Sequence, residues 1–461
     1  MASTSEISKT VKENTEGPST IEGFWRAHLD AKSKGEAKSL FDRGYKLAAN
    51  ISKKLTYNDA IKDKSLATTN LAWYSHLNRK SPHANGKVVG IFANSRILPG
   101  QYEATNTTPN PFGASSEWAV YMMAKELAKM GYHVVVFCDF DTKIDWQYTI
   151  PLRNPQYLPI SRENSTHLMG PTIPGFILSF DDIMTRPEGL SPLDELIVWC
   201  CPWSQDYVFH NYAKNVHAWY INFYGSSISY DPKTIYVLSE FHKAHTLEKN
   251  QWFNPADIIV GCMGTDVHSG EEVITKKRRA KSCMYATSRI RGLLDLMKMW
   301  GDILAVHPTA TLTIAYGKQT FMSGTEAEIA EIDGLIAKYK KSVFDVDRLP
   351  IEQLKKVVGQ QSFYLYPYKT GDHLTETFST MVAMAGRLGT IPIVRRRHGL
   401  LTTAAPQDGD LLGEGEFLAR TIEMLGKDEE ELRPIRKTWY DHCKQYTWEN
   451  AAKTMASRFS L

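Results

Sequence analysis

The sequence predicts an α/β protein with two doubly wound, Rossmann-like domains in tandem and an N-terminal helical extension. Apolar runs rich in valine and isoleucine alternate with amphipathic segments of helical period, which is typical of parallel sheets flanked by helices. This alternation occurs twice, on either side of a charged, irregular stretch at residues 270–281. The length of 461 residues suits two large domains or three smaller ones.

The first part of the chain differs from the rest. Residues 1–18 are rich in Ser, Thr, Lys and Glu, which predicts a disordered tail. Residues 19–82 carry apolar side chains at three- and four-residue spacing and contain no strand-like run. We therefore expect a helical extension before the first sheet.

Residues 83–269 and 282–440 are predicted to form the two Rossmann-like domains, joined by a solvated linker at 270–281. Residues 441–461 are predicted to form a C-terminal helix that is able to pack back on the first domain. The predicted strands are residues 87–93, 134–138, 175–179, 195–199, 217–221, 234–238, 257–260, 282–286, 311–316, 343–345, 363–366 and 391–394. The predicted helices are residues 117–130, 239–252, 292–300, 326–340, 351–359 and 378–388.

Composition excludes several classes of protein. With 43% hydrophobic and 23% charged residues, the chain is neither a collagen, nor a coiled coil, nor largely disordered. A net charge of +3 is too small to predict a nucleic-acid partner. The six cysteines form no C-x-x-C pair, the polar N-terminus lacks a signal-peptide core, and no run of ~18 apolar residues occurs. We expect a reduced, cytoplasmic protein without a transmembrane segment.

The loops that follow the strands carry the candidate site, because ligands of open α/β sheets bind beyond the carboxyl ends of the strands. After the first strand, Gly113 in N-P-F-G-A-S-S-E lets the backbone approach a ligand, although a structural turn with a serine cap explains it equally well. The G-x-G-x-x-G fingerprint is missing, so the sequence does not predict a nicotinamide or flavin enzyme.

The second candidate loop is S-R-I-R-G, at the end of the first strand of the second domain. Arg291 directly precedes a glycine that opens a helix, so a cation and free N–H groups meet at one point. A diphosphate needs that combination, which predicts a phosphate contact for Arg291. Arg289 is a further candidate, and the alternative for it is an ordinary surface arginine.

The third candidate loop leads to Glu376, at the start of a predicted helix. One interpretation is a carboxylate that contacts sugar hydroxyls, with the N–H groups of Thr377 and Phe378 facing phosphate. The other is an acidic residue in the first helical turn, stabilised by the helix dipole. The candidate donor contacts over all loops are Gly113, Ser288, Arg289, Tyr366, Thr375, Thr377, Phe378 and Ser379.

In this order the loops resemble those of GT-B nucleotide-sugar glycosyltransferases, in particular the retaining family similar to glycogen and sucrose synthases. The resemblance spans about residues 87–400 and is carried by Y-A-T-S-R-I-R-G-L, by L-Y-P with E-T-F, and by G-T-I-P-I-V. It implies that Arg291 contacts the donor diphosphate and that Glu376 contacts the transferred sugar. It also implies retention of configuration, no metal or other cofactor, and a first domain that binds a glycan, protein or lipid acceptor.

The sequence departs from that family at two points. The second glutamate of the family, eight positions after Glu376, is Met384 here, and Asn222 or Phe223 occupies the place of a histidine in the first domain. Two alternatives to a glycosyltransferase therefore remain. One is an epimerase or hydrolase that acts on the sugar nucleotide without an acceptor, and the other is a non-catalytic binding protein of the same fold.

Two possible metal motifs are predicted to be structural. The D-F-D sequence that begins at Asp139 follows a strand of the first domain, and we expect a turn at the strand end. His242 and His245 share one face of a helix without an accompanying carboxylate motif, and we expect surface residues.

Overall fold

The structure is a computed structural model that describes residues 87–96, 115–139, 156–159, 193–200, 213–221, 232–261, 263–265, 267, 269–316, 325–347, 349–369, 375–403, 411–413 and 415–460. Several sequence predictions lie outside the described residues. They are the N-terminal tail, the helical extension, the strand at 175–179, Gly113, and Asn222 with Phe223.

The strands in the described part of the chain number thirteen. They are β1 (Val88–Arg96), β2 (His133–Asp139), β3 (Gln156–Pro159), β4 (Leu193–Trp199), β5 (Ala213–Trp219), β6 (Thr234–Val237), β7 (Ile258–Val260), β8 (Ser282–Tyr285), β9 (Thr311–Ile314), β10 (Val343–Asp345), β11 (Phe363–Tyr366), β12 (Ile391–Arg395) and β13 (Leu411–Leu412).

The α-helices described between and after these strands number eleven. They are α1 (Ser115–Lys129), α2 (Glu240–Lys249), α3 (Glu272–Thr275), α4 (Leu293–Val306), α5 (Glu326–Lys338), α6 (Ile351–Val358), α7 (Thr380–Arg387), α8 (Leu400–Thr403), α9 (Glu416–Gly426), α10 (Glu429–Cys443) and α11 (Trp448–Ala456). Among the described residues, no helix combines the length and apolar character needed to cross a membrane.

The strands form two sheets in which every pair is parallel. The first sheet has the order β3-β2-β1-β4-β5-β6-β7, and the second has the order β10-β9-β8-β11-β12-β13. In each sheet the first three strands are added toward one edge and the later strands toward the other. The strand order therefore reverses between β1 and β4 in the first sheet and between β8 and β11 in the second. Such a reversal opens a crevice at the carboxyl ends of the strands. The predicted α/β class with two doubly wound sheets is confirmed.

Apolar patterning explains these elements. In β4 every residue except Asp194 is buried, so the strand needs apolar side chains on both faces. In α4 the buried residues Leu293, Leu296, Met297 and Trp300 follow a helical period. That period continues to the buried Ile303, and the helix is therefore longer than predicted.

The segment that joins the sheets is less exposed than predicted. Val273 and Ile274 of α3 are buried, and so is the Arg278 side chain. The Arg278 guanidinium donates to Val273 O and to Leu388 O, both at 2.7 Å. The expectation of a solvated linker is therefore wrong at these residues, because the arginine binds one carbonyl within the linker and one in the second domain.

The last helix lies on the first domain. Trp448, Ala452 and Met455 of α11 belong to the same buried cluster as side chains of α1 and β1. The Tyr236 hydroxyl of β6 donates to Met455 O at 2.8 Å. The chain thus crosses between the two sheets twice, once through α3 and once between α10 and α11.

Candidate active site

The loop after β8 places Arg291 in the crevice of the second sheet. A 3-10 helix spans Arg289–Arg291, and Gly292 follows with φ 113° as the N-cap of α4. A Cβ atom on Gly292 would lie 3.2 Å from Lys369 N and from Pro367 Cγ. Glycine is needed here both for the left-handed backbone and for the close approach of the loop after β11.

The side chains of Arg291 and Glu376 form an ion pair. Arg291 Nη1 lies 2.6 Å from Glu376 Oε2, and the two side chains are 17% and 12% exposed. The Tyr366 hydroxyl donates to the same carboxylate oxygen at 2.7 Å. The structure therefore brings together the predicted diphosphate contact, Arg291, and the predicted sugar contact, Glu376, which are the two candidate catalytic residues, with Tyr366 as a third member.

The charge states in this cluster follow from burial and from Glu376. Burial lowers the pKa of Arg291, but the Glu376 carboxylate and the neighbouring phenols outweigh it, so the pKa lies above its ordinary value. Burial and the Glu376 carboxylate raise the pKa of Tyr366 well above its ordinary value. The guanidinium is therefore charged and the phenol is protonated, which makes both groups hydrogen-bond donors to Glu376.

The backbone of Glu376 is fixed by two further hydrogen bonds. Its N–H donates to the Tyr368 hydroxyl at 2.8 Å, and its carbonyl accepts from Gly399 N at 2.8 Å. The helix that follows begins at Thr380, not at Phe378. Glu376 thus precedes the helix by a full turn, and the alternative of an acidic residue in the first helical turn is wrong.

Arg289 lies in a different environment from Arg291. Its side chain is fully buried, with Nη2 2.6 Å from Asp345 Oδ2 and Nη1 3.5 Å from Asp333 Oδ1. The alternative of a surface arginine is therefore wrong. The guanidinium pairs with two carboxylates and Arg289 also lines the small cleft beside the 3-10 helix, so its role as a donor contact stays a prediction.

The other candidate residues around Glu376 make contacts that hold the loop. Thr377 Oγ1 donates to Ile221 O of the first domain at 2.9 Å, and Phe378 packs in the buried cluster of that domain. The Ser379 side chain accepts from Val382 N and caps α7. Thr375 is partly exposed. Donor contacts for these four residues stay predictions, and the side chains of Thr377 and Phe378 dock the loop on the first domain.

Ser288 is the N-cap of the 3-10 helix that contains Arg291. Its carbonyl accepts from the Tyr285 hydroxyl at 2.6 Å and from Arg291 N at 3.0 Å, and the residue is buried. Beside this turn lies a small cleft lined by Ile290, Leu294 and Ile332, with the charged residues Arg289, Glu328 and Lys369 at its polar side.

Two residues of this site were missed in the sequence analysis. Tyr368 hydrogen-bonds Glu376 N, and its hydroxyl lies 3.2 Å from His398 Nδ1. The available signals were the alternation of Tyr366 and Tyr368, which places them on one side of the extended chain, and the position of His398 just after β12.

The described residues contain no group of three His, Cys, Asp or Glu side chains placed to hold a metal. His242 is buried, so the expectation of a surface histidine is wrong there, and burial lowers its pKa to about 3. Asp139 is the last residue of β2, and the rest of the D-F-D motif lies outside the described residues.

Comparison by sequence gives no match, either to a protein-family model or to a curated protein. Comparison of structures gives clear similarities. Sucrose-phosphate synthase from Thermosynechococcus elongatus is 17% identical, with 80% of this chain and 98% of that chain covered and a TM-score of 0.57. A glycosyltransferase from Rickettsia africae ESF-5 is 12% identical, with coverages of 81% and 98% and a TM-score of 0.58.

A third similar structure is the catalytic domain of starch synthase IV from Arabidopsis thaliana, bound to ADP and acarbose. It is 12% identical, covers 81% of this chain and 98% of its own, and has a TM-score of 0.55. The chain has the GT-B fold. In the GT-B frame, Arg291 and Glu376 lie in the crevice of the second sheet, and Thr377 and Phe378 contact the first domain.

Proposed function

We propose that this protein is a glycosyltransferase that moves a sugar from a nucleotide-sugar donor to a glycan, protein or lipid acceptor. The observation that carries the proposal is the Arg291–Glu376 pair in the crevice of the second sheet of a GT-B fold. A buried cation beside a carboxylate provides one group for a departing diphosphate and one for the sugar attached to it. The retaining, metal-independent and cytoplasmic character predicted from the sequence belongs to the same proposal.

The proposed donor diphosphate binds Arg291 and the start of α4. The first helical hydrogen bond runs from Leu296 N to Gly292 O, so the N–H groups before Leu296 have no acceptor within the helix. The guanidinium lies one residue before Gly292, the N-cap of this helix, and both the cation and the helix N-terminus favour an anion.

The proposed reaction breaks the bond between the anomeric carbon and the diphosphate oxygen and forms a bond to an acceptor oxygen, which loses its proton. Negative charge builds on the departing diphosphate while the sugar gains oxocarbenium character. Arg291 and the first turn of α4 stabilise the negative charge. Glu376, held by Tyr366, lies on the sugar side and orients the sugar hydroxyls.

One observation favours the binding-protein alternative. Met384, which stands where the resembled family has its second glutamate, is buried in α7. A thioether there offers no charged group to the ribose of a nucleotide. This alternative keeps donor binding but not turnover.

A titration separates the candidates. Full-length protein is titrated calorimetrically with UDP-, ADP-, GDP- and TDP-glucose, and nucleoside diphosphate release is then measured with and without a mixture of glycan acceptors. Binding with acceptor-dependent release supports a glycosyltransferase. Release without acceptor indicates an epimerase or hydrolase, binding without release indicates a binding protein, and no binding contradicts the proposal.

A further inference from the structure

The backbone N–H of Glu376 is held by a tyrosine that also contacts a histidine. Glu376 N donates to the Tyr368 hydroxyl at 2.8 Å, and that hydroxyl lies 3.2 Å from His398 Nδ1. Burial and the nearby Glu376 carboxylate raise the pKa of Tyr368 to about 12, so the phenol is protonated. The phenol oxygen accepts from Glu376 N, and the phenol can donate its own proton to the imidazole of His398.

His398 is suited to accept this proton. Burial, together with Arg397, lowers its pKa, so the ring is neutral near pH 7 and Nδ1 can act as an acceptor. His398 has φ 45°, a left-handed conformation that side chains other than glycine rarely adopt. Such a conformation persists where surrounding contacts hold it. The Tyr368 ring, edge-on at 6.0 Å between centroids, supplies one such contact.

The second contact of His398 comes from the first domain. The Phe241 ring lies 4.8 Å from the imidazole between centroids, with 31° between the ring planes. Phe241 is in α2, which packs on β7 of the first sheet and is anchored there by Lys243 Nζ donating to Ile258 O at 3.0 Å. A continuous series of contacts therefore runs from the first domain through His398 and Tyr368 to Glu376.

We propose that Tyr368 and His398 are positioning residues for Glu376, and that Phe241 makes the placement of this carboxylate depend on contact with the first domain. The effect on sugar transfer rests on the proposed function. The dependence of the Glu376 position on Phe241 does not. Tyr366 fixes the carboxylate end of Glu376, and Tyr368 fixes its backbone. Contact between the two domains is then needed to position Glu376, the residue of the second domain that faces the sugar in the proposed function.

Hydrogen exchange measures this dependence without any substrate. In the full-length protein, Tyr368→Phe removes the acceptor of the Glu376 N–H, and exchange in peptides covering residues 375–378 should rise by about tenfold. Tyr364→Phe is the matched control, since Tyr364 lies four residues earlier, in β11, and no hydrogen bond joins its hydroxyl to Glu376. Equal exchange in these two variants would overturn the role of Tyr368.

Variants at the domain contact test the second half of the proposal. Phe241→Leu keeps an apolar side chain on α2 but removes the ring, and His398→Asn tolerates the left-handed backbone but loses the ring contact. Both should raise exchange at residues 375–378, in the same direction as Tyr368→Phe. Unchanged exchange in both variants, with native thermal unfolding, would overturn the dependence on the first domain.

Kinetics distinguish a positioning role from a loss of folding. With the sugar nucleotide that the calorimetric titration selects, Tyr368→Phe should lower kcat about tenfold and leave the donor KM within about twofold. A rise in KM with constant kcat would overturn positioning in favour of donor binding. If the wild type turns over no sugar nucleotide, the proposed function fails, while increased exchange in the three variants still supports the mechanical inference.

Discussion

The guanidinium of Arg291 lies 2.6 Å from the carboxylate of Glu376 across the crevice of the second sheet. Without a ligand each group neutralises the other, in a site that is largely buried. A diphosphate that binds Arg291 must compete with Glu376 for the same cation. Under the proposed function, donor binding and the orientation of Glu376 are therefore coupled, and the two residues should respond differently to substitution.

The first prediction concerns this difference. Glu376→Gln removes the competing charge, so nucleoside diphosphate affinity should stay constant or increase, while transfer falls by about 100-fold. Arg291→Ala should weaken diphosphate binding and also lower transfer by about 100-fold or more. Calorimetry and initial rates measure the two effects separately.

Matched controls for these variants are Glu430→Gln and Arg433→Ala, which change an exposed ion pair on α10. Both controls should bind and react as the wild type does. Equal loss of diphosphate affinity in Glu376→Gln and Arg291→Ala would contradict the competition between Glu376 and the diphosphate.

The second prediction separates the two arginines of the 3-10 helix. Arg289→Ala leaves the Asp345 carboxylate, which is 11% exposed, without its partner. Removing one member of a buried pair should lower the free energy of unfolding by about 3–5 kcal/mol. Under conditions where the variant is folded, its donor KM tests the predicted donor contact of Arg289, and a wild-type KM would contradict that contact. If the free energy of unfolding of Arg289→Ala, measured with denaturant, equals that of the wild type, the Arg289–Asp345 pair does not stabilise the fold.

The third prediction concerns a close approach at Glu376. A Cβ atom on Gly399 would collide with the Thr377 carbonyl and lie 2.7 Å from Glu376 O. Gly399→Ala should therefore destabilise the protein by about 1–3 kcal/mol and displace the loop that carries Glu376. The control is Gly334→Ala in α5, where a Cβ meets nothing within 4 Å.

The control substitution should stabilise the protein, whereas Gly399→Ala should destabilise it. In a helix interior, alanine is favoured over glycine by about 0.5–1 kcal/mol, so Gly334→Ala should raise the unfolding midpoint. Chemical denaturation of both variants measures the pair. Equal stability in the two variants would contradict the packing at Gly399.

The fourth prediction is a loss of stability in acid. Burial lowers the pKa of His242 to about 3, from an unfolded value near 6.5. Below about pH 6.5 the unfolded chain binds a proton that the folded chain does not, so stability falls as pH decreases toward 3. His242 alone should lower the free energy of unfolding by about 2 kcal/mol between pH 8 and pH 5. His242→Gln should lack this part of the pH dependence, and an identical slope in the variant would show that His242 does not cause it.

The sequence predicts most of the fold because each strand–helix unit is encoded locally. In the second domain, the apolar strand β8, the capping Gly292 and the apolar period of α4 all lie within 25 consecutive residues, 282–306. Short or polar strands were not predicted, such as β3 and the two-residue β13. Their few residues carry too little pattern, and pairing with a neighbouring strand defines them.

The helices near the C-terminus show a signal that went unused. Asp428 and Glu431 form a capping box at the start of α10, and this pattern marks a helix start in the sequence. Similarly, Ser379 is a typical N-cap for α7, whereas the sequence analysis began that helix at Phe378. The two caps therefore mark the starts of α10 and α7 in the sequence.

The site could be predicted only in part. Arg289 and Arg291 are chemically identical and belong to one turn, yet their acidic partners lie 56 and 85 residues away. No local pattern reports which arginine meets which carboxylate. The contact of Thr377 with Ile221 spans 156 residues and depends on how the two domains pack. The sequence therefore identifies the loops that carry the charged residues, whereas the pairing of individual side chains needs tertiary structure.

The central claim is that the donor diphosphate binds Arg291 at the start of α4. A crystal structure with the nucleoside diphosphate that binds best in calorimetry tests it most directly. The account predicts phosphate oxygens within hydrogen-bond distance of the Arg291 guanidinium and of the first N–H groups of α4, with Glu376 released from Arg291. A diphosphate bound elsewhere, with the Arg291–Glu376 pair intact, would contradict it.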